Sequence, residues 1–313
     1  MTITTTSFGD RLNEAVGEKK SCLVVGLDPV LEKLPSEAFH RLGMVASGGE
    51  GATAKAAAAI GMYLNEVIDA VADVAVAVKP NSAFFERFGA AGLDCLRQVC
   101  AVAQKAGLLV ICDAKRGDIA HTAQAYADAF LGDLPDTPGP HVDAVTISPF
   151  LGSDSVEPYL QYAGAGKGVF VLVRTSNPSG AELQDLEAEG RPLYLHIAEQ
   201  VARWGESCGG ASEFTPVGAV VGATQVSQAE RVREAIPRAM FLVPGFGAQG
   251  AQADDLKAYF LAGGRGAVVN ASRSVLYAGS TERGQQAASW KDAVRQAAIE
   301  ARDALEDVRR SVG

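Results

Sequence analysis

No apolar run in the chain approaches the ~20 residues that a helix needs to span a bilayer, so no membrane span is expected. The first ten residues are polar and Thr-rich. They lack the basic-then-apolar order of a secretion signal, which points to the cytoplasm. Cysteine is scarce and odd in number: Cys22, Cys95, Cys100, Cys112 and Cys208 show no CxxC spacing. Reduced thiols are expected, not a disulfide framework. The four histidines, His40, His121, His141 and His196, are not spaced as metal ligands. Positive charge is also in deficit. With 28 Lys+Arg against 37 Asp+Glu the net charge is −9, which argues against a nucleic-acid-binding surface. A local cluster of cations can still override that sign for a small anionic ligand. No GxGxxG turn follows the first apolar run, which ends instead in Gly26-Leu27-Asp28-Pro29. Low complexity is confined to the Ala56–Ala59 run, a plain helix former.

What the chain does have is alternation. Short, nearly all-apolar runs recur at Cys22–Leu27, Val74–Lys79, Leu108–Ala114, Ala144–Ile147, Val169–Arg174, Val217–Val221, Phe241–Val243 and Ala267–Asn270. Such runs suit parallel strands covered on both faces. Helical segments lie between them, at Thr53–Ala72, Gly92–Ala106, Asp118–Phe130, Arg191–Trp204, Gln228–Ala235 and Ala253–Leu261. Eight such units in about 250 residues predict an α/β fold of the closed (β/α)8 TIM-barrel type. An outer amphipathic helix is expected from about Gln286 to Arg310, and Glu32–Gly51, Gly132–Pro140, Asn177–Gly190 and Gly205–Pro216 read as loops. No domain boundary is expected within residues 1–313.

The densest chemistry lies at the end of the third run, in Asp113-Ala114-Lys115-Arg116-Gly117-Asp118. Strand alternation points Asp113 and Lys115 the same way and Ala114 the other. A structural ion pair at a strand terminus is the bland alternative. Charges packed this closely are costly to desolvate unless they pair with each other or with a substrate. In a barrel the working face is the C-terminal end of the strands, where Asp28, Lys79, Asn81, Arg174-Thr175-Ser176 and Asn270 also fall. The last two loops suggest a phosphate site. Gly245, Gly247 and Gly250 would let backbone N–H groups approach an anion, Ser272 would start a short helix, and Arg273 can grip phosphate bidentately. Tight βα turns alone would also explain those glycines.

The motif Asp113-x-Lys115-x-x-Asp118-Ile119, with Lys79 one strand earlier, resembles the orotidine 5′-phosphate decarboxylase family. The form Asp-Ala-Lys-Arg-Gly-Asp-Ile followed by Thr122 is similar to its longer bacterial subgroup. Gly26-Leu27-Asp28-Pro29, Val78-Lys79-Pro80-Asn81, Val243-Pro244-Gly245-Phe246-Gly247 and Asn270-Ala271-Ser272-Arg273 extend the likeness over nearly the whole chain. The resemblance implies a homodimer, without metal or organic cofactor, that converts orotidine 5′-monophosphate to uridine 5′-monophosphate and carbon dioxide. It implies a charged tetrad of Lys79, Asp113, Lys115 and Asp118, with Asp118 and Thr122 supplied by the other subunit. Asp28 would bind a ribose hydroxyl, Ser176 the pyrimidine, and Gln249 and Arg273 the phosphate. Asn81 would be a further ribose or tetrad contact. Magnesium-dependent sugar-phosphate relatives on the same barrel share Asp-x-Lys-x-x-Asp. They stay open, as do a Schiff-base aldolase using Lys79 or Lys115 and a phosphate-ligand sensor without catalysis.

Overall fold

The computed structural model describes residues 6–41, 51–132, 139–247, 253–282 and 284–313, with the backbone alone for residues 39–41. Eight parallel strands close into one barrel: β1 (Leu23–Leu27), β2 (Ala77–Pro80), β3 (Leu109–Arg116), β4 (Ala144–Ile147), β5 (Gly168–Arg174), β6 (Val217–Val221), β7 (Phe241–Pro244) and β8 (Ala267–Ala271). Each strand pairs with its sequence neighbours, and β1 pairs with β8 to close the ring. All eight expected runs are strands, and the predicted TIM-barrel class is the one observed. The strands are apolar throughout because helices cover the outside while side chains fill the inside.

The main outer helices are α1 (Phe8–Lys19), α2 (Ala52–Val71), α3 (Gly89–Lys105), α4 (Ala120–Leu131), α5 (Leu193–Ser207), α6 (Val226–Ala235) and α7 (Trp290–Ser311). Four expectations need correction. The Ala253–Leu261 segment is 3-10 helix over Ala253–Tyr259, not α-helix. The Asp118 helix begins only at Ala120, because β3 runs on to Arg116 and residues 117–119 turn the chain. Asn177–Gly190 is not plain loop: it holds a 3-10 turn at Pro178–Gly180, a helical turn at Ala181–Gln184 and one arm of a small hairpin. Glu32–Gly51 likewise contains the helix Ser36–Arg41. Gly250 and Gln249 lie outside the described residues.

Helix α1 was not foreseen. Its apolar residues Phe8, Leu12 and Val16 form a stripe only one residue wide, in a segment that also carries Gly9 and Gly17. Ser7 caps it, accepting from Asp10 N at 3.1 Å and donating to the Phe214 carbonyl at 2.5 Å. Phe8 packs edge-on against Phe170 at 5.9 Å. A Cβ on Gly168 would lie 2.1 Å from the Phe8 ring, so the first residue of β5 has to be glycine for α1 to dock. Arg11 bonds Asp143 at 3.0 Å, and Asp143 also accepts from Val110 N at 2.9 Å. The helix thus plugs the N-terminal end of the barrel and leaves the C-terminal end open.

Candidate active site

Parallel alignment brings the charged strand ends together. Lys79 is 4% exposed, so its ammonium has left water almost completely. It is paired: Lys79 Nζ lies 2.8 Å from Asp113 Oδ2. Lys115 Nζ donates to the other oxygen, Asp113 Oδ1, at 2.5 Å. One carboxylate therefore holds two ammonium groups, one buried and one half-exposed. Burial alone would raise the pKa of Asp113. Lys79 and Lys115 more than reverse this and hold the carboxyl well below the usual range. Burial would likewise lower Lys79, but Asp113 and then Asp28 outweigh it and keep the ammonium above its ordinary pKa. Asp113 and Lys79 are thereby held in their charged forms across the neutral range.

A break in β3 makes this geometry. Register with β4 runs Cys112 to Val145 and then jumps to Arg116 opposite Ile147. Within that bulge Lys115 adopts a left-handed backbone, φ 47°. Non-glycine residues rarely sit there, and such strain concentrates at functional sites. Asp113 and Lys115 do point the same way, as alternation predicts, but a bulge and not a regular pleat brings their heads into contact.

The trio opens into a cavity of about 630 Å³ at the C-terminal end of the barrel, within the range of small-molecule sites. Of the residues picked out from sequence, Asp28, Lys79, Asn81, Asp113, Lys115, Ser176, Gly245 and Arg273 line it. Asp28 Oδ1 and Asn270 Oδ1 are buried there without a hydrogen-bond partner, two acceptors suited to ligand hydroxyl or N–H groups. Arg273 opens the one-turn helix Arg273–Leu276 after β8, with Ser272 at its N-cap. Gly245 and Gly247 have φ of 107° and 73°, conformations that ask for glycine. Gly247 borders but does not line the cavity. Asp118 and Thr122 do not line it either. Asp118 is half-buried and accepts from Ile119 N at 2.8 Å, while Thr122 is exposed on the first turn of α4.

Several contributors escaped the sequence reading. Thr146 sits beneath the trio, and Lys33 reaches the cavity from a 3-10 turn after β1. Tyr277 clamps the Asp28 loop, donating to the Asp28 carbonyl at 2.5 Å and accepting from Val30 N at 2.8 Å. Arg174, already placed by the sequence at the end of the fifth run, is buried and bonds Gln184 and Asp185, tethering the loop that carries Ser176. A Cβ on Gly222 would lie 2.7 Å from the Ser176 backbone, so glycine at the end of β6 lets that loop pack down. Of Thr146, Lys33 and Tyr277, Thr146 alone left a trace, as the one polar residue in Ala144–Ile147. A second cavity of about 610 Å³ lies alongside under the start of α7 and shares Lys33 and Tyr277, but holds none of the Asp/Lys trio. Among the described residues no group of three His, Cys, Asp or Glu side chains is placed to hold a metal ion. No described helix is long and apolar enough to cross a membrane.

Comparison with known proteins decides the family. A model described as the orotidine 5′-phosphate decarboxylase / HUMPS family matches residues 23–288. The chain belongs to this family. It is 45% identical over 304 residues to orotidine 5′-phosphate decarboxylase of Rhodopirellula baltica, covering 96% of this chain and 99% of that one. With the Caldicellulosiruptor bescii enzyme of the same name it shares 38% over 277 residues, covering 87% and 90%. The structure of Leishmania donovani OMP decarboxylase superposes with a TM-score of 0.74 at 36% identity, over 97% of this chain and 99% of that one. Family membership accounts for the closed barrel.

Proposed function

We propose that this chain decarboxylates orotidine 5′-monophosphate to uridine 5′-monophosphate, with Lys115 as the proton donor. The observation that carries this reading is the Lys79–Asp113–Lys115 trio at the mouth of an apolar barrel. Loss of carbon dioxide breaks the C6–carboxylate bond and leaves its electron pair on C6. The Lys115 ammonium stabilises that developing charge and then transfers a proton to C6. Asp113 lies near the departing carboxylate and favours its exit. Lys79 holds Asp113 ionised. Asp28 takes a ribose hydroxyl and Asn81 lies close by, Ser176 takes the pyrimidine, and Arg273 with the Gly245–Gly247 turn takes the phosphate. Binding energy from that remote phosphate orients the base at the trio. Gln249, expected as a second phosphate ligand, falls outside the described residues. Both Asp113 oxygens are already occupied by ammonium groups, which favours this chemistry over a magnesium-held sugar phosphate.

The site is completed by a second copy of the chain. Asp118 and Thr122 lie off their own cavity, Ile119 beside Asp118 is exposed, and so are the apolar Phe150 and Leu151, Phe150 at 80%. A twofold partner placed there presents Asp118 and Thr122 to its neighbour's trio. The free cysteines suit a reduced, cytosolic setting. Ultraviolet absorbance tests the activity: orotidylate mixed with chelator-treated protein loses its characteristic band. Activity that vanishes with the chelator would favour the metal-dependent relatives instead. For the shared site, equal amounts of Lys115→Ala and Asp118→Ala proteins are mixed. About a quarter of wild-type activity returns, since half the dimers are mixed and each has one intact site. No rescue despite proven subunit exchange contradicts it.

A further inference from the structure

We propose that Thr146 is a positioning residue for this reaction, its hydroxyl setting the angle between Asp113 and Lys115. The inference rests on the reading above that Lys115 delivers the proton.

Thr146 is fully buried in β4, between Val145 and Ile147. Valine would fill the same space, and the other three residues of β4 are apolar. Its hydroxyl is nevertheless engaged on both sides. Thr146 Oγ1 accepts from the Lys115 backbone N–H at 3.0 Å and donates to Asp113 Oδ1 at 2.9 Å. The same Asp113 Oδ1 accepts from Lys115 Nζ at 2.5 Å. A ring results: Lys115 backbone to Thr146, Thr146 to Asp113, and Asp113 to the Lys115 side chain.

The ring has a reason in the backbone. Register places Cys112 opposite Val145 and Arg116 opposite Ile147, so residues 113–115 face Thr146 alone. Lys115 N–H finds no place in the strand ladder there, and Lys115 is the residue with φ 47°. A buried N–H without a partner is costly, and Thr146 supplies the acceptor that the ladder withholds. The hydroxyl therefore does two things a methyl cannot. It holds the left-handed turn that aims Lys115, and it fixes the rotation of the carboxylate between the two ammonium groups.

The experiment compares Thr146→Val, which keeps volume, with Thr146→Ser, which keeps the hydroxyl, in steady-state decarboxylation of orotidylate. In the valine variant kcat falls by about 10- to 100-fold while KM changes by less than about threefold, because the lost interaction acts on the reacting groups and not on substrate binding. The serine variant stays within about threefold of wild type. Calorimetric binding of uridine 5′-monophosphate reports that each variant is folded. If valine does not fold, Thr146→Ala is read on the same kcat–KM split. Undiminished kcat in the valine variant, or failure of serine to restore it, overturns the assignment. Absence of turnover in the wild-type protein would sink the proposed function itself, a separate outcome.

Discussion

The two ends of this barrel treat cations in opposite ways. At the N-terminal end Lys19 and Arg233 bond backbone carbonyls. Lys19 donates to Ala72, Ala75 and Gly107 at 2.8–3.2 Å. Arg233 is buried over the Phe241 ring and donates to Ala239, Tyr259 and Gly266 at 2.7–2.9 Å. Those interactions are complete within the fold. At the C-terminal end the cations face a carboxylate and an open cavity. There the backbone is bulged, one lysine sits at positive φ, and the acceptors of Asp28 and Asn270 are left over. One end is arranged for stability, while the other holds charge and strain in readiness for a ligand.

That contrast can be broken from either side. The largest effect is expected at the top. Lys115→Ala should cut kcat by at least about 10⁴-fold while leaving the thermal midpoint near wild type. Substantial residual turnover would remove Lys115 as proton donor. At the bottom the outcome should invert. Phe8→Ala should cost about 3–5 kcal/mol in denaturant unfolding, with kcat of the folded protein little changed. A kcat loss as large as the stability loss would mean that the two ends are not separable.

Arg273→Ala sharpens the picture within the upper end. It should weaken binding of uridine 5′-monophosphate by about 10- to 100-fold and binding of uridine far less, measured by calorimetry. Equal losses would move the phosphate elsewhere. The smallest effect concerns pH. The folded-state pKa of Asp113 is depressed, so its stabilising share is present above the unfolded value of about 3.9 and is lost as pH falls below it. That of Lys79 is raised, so its share is present below about 10.4 and is lost as pH rises through the folded value. The stability difference between wild type and Asp113→Asn should therefore be flat from about pH 5 to 9 and narrow in acid. A slope near neutrality would show that Asp113 and Lys79 are not held together in their charged forms.

The barrel was legible because its signal is local and repeated. Each of the eight apolar runs reports burial on both faces, and no single misreading disturbs the count. Helix α1 was not legible, since its stripe of Phe8, Leu12 and Val16 is too narrow to stand out until Gly168 gives it a place to dock. Asp113, Lys115, Lys79 and Arg273 could be picked out because charged residues directly after apolar strands have few structural uses. Thr146 and Tyr277 could not, because each acts on a residue distant in sequence. Tyr277, for example, clamps Asp28 across 249 positions.

By itself, then, the order of residues determined the alternation of strand and helix and the identity of the charged groups at the strand ends. Both depend on periodicity and on neighbours within a few positions. Only the closed barrel decided that Asp113 would divide its oxygens between Lys79 and Lys115, and that a bulge over Thr146 would aim the second lysine. The same closure left Asp118 outside its own cavity. Those outcomes depend on strand register and ring closure, which bring together residues that no local pattern relates.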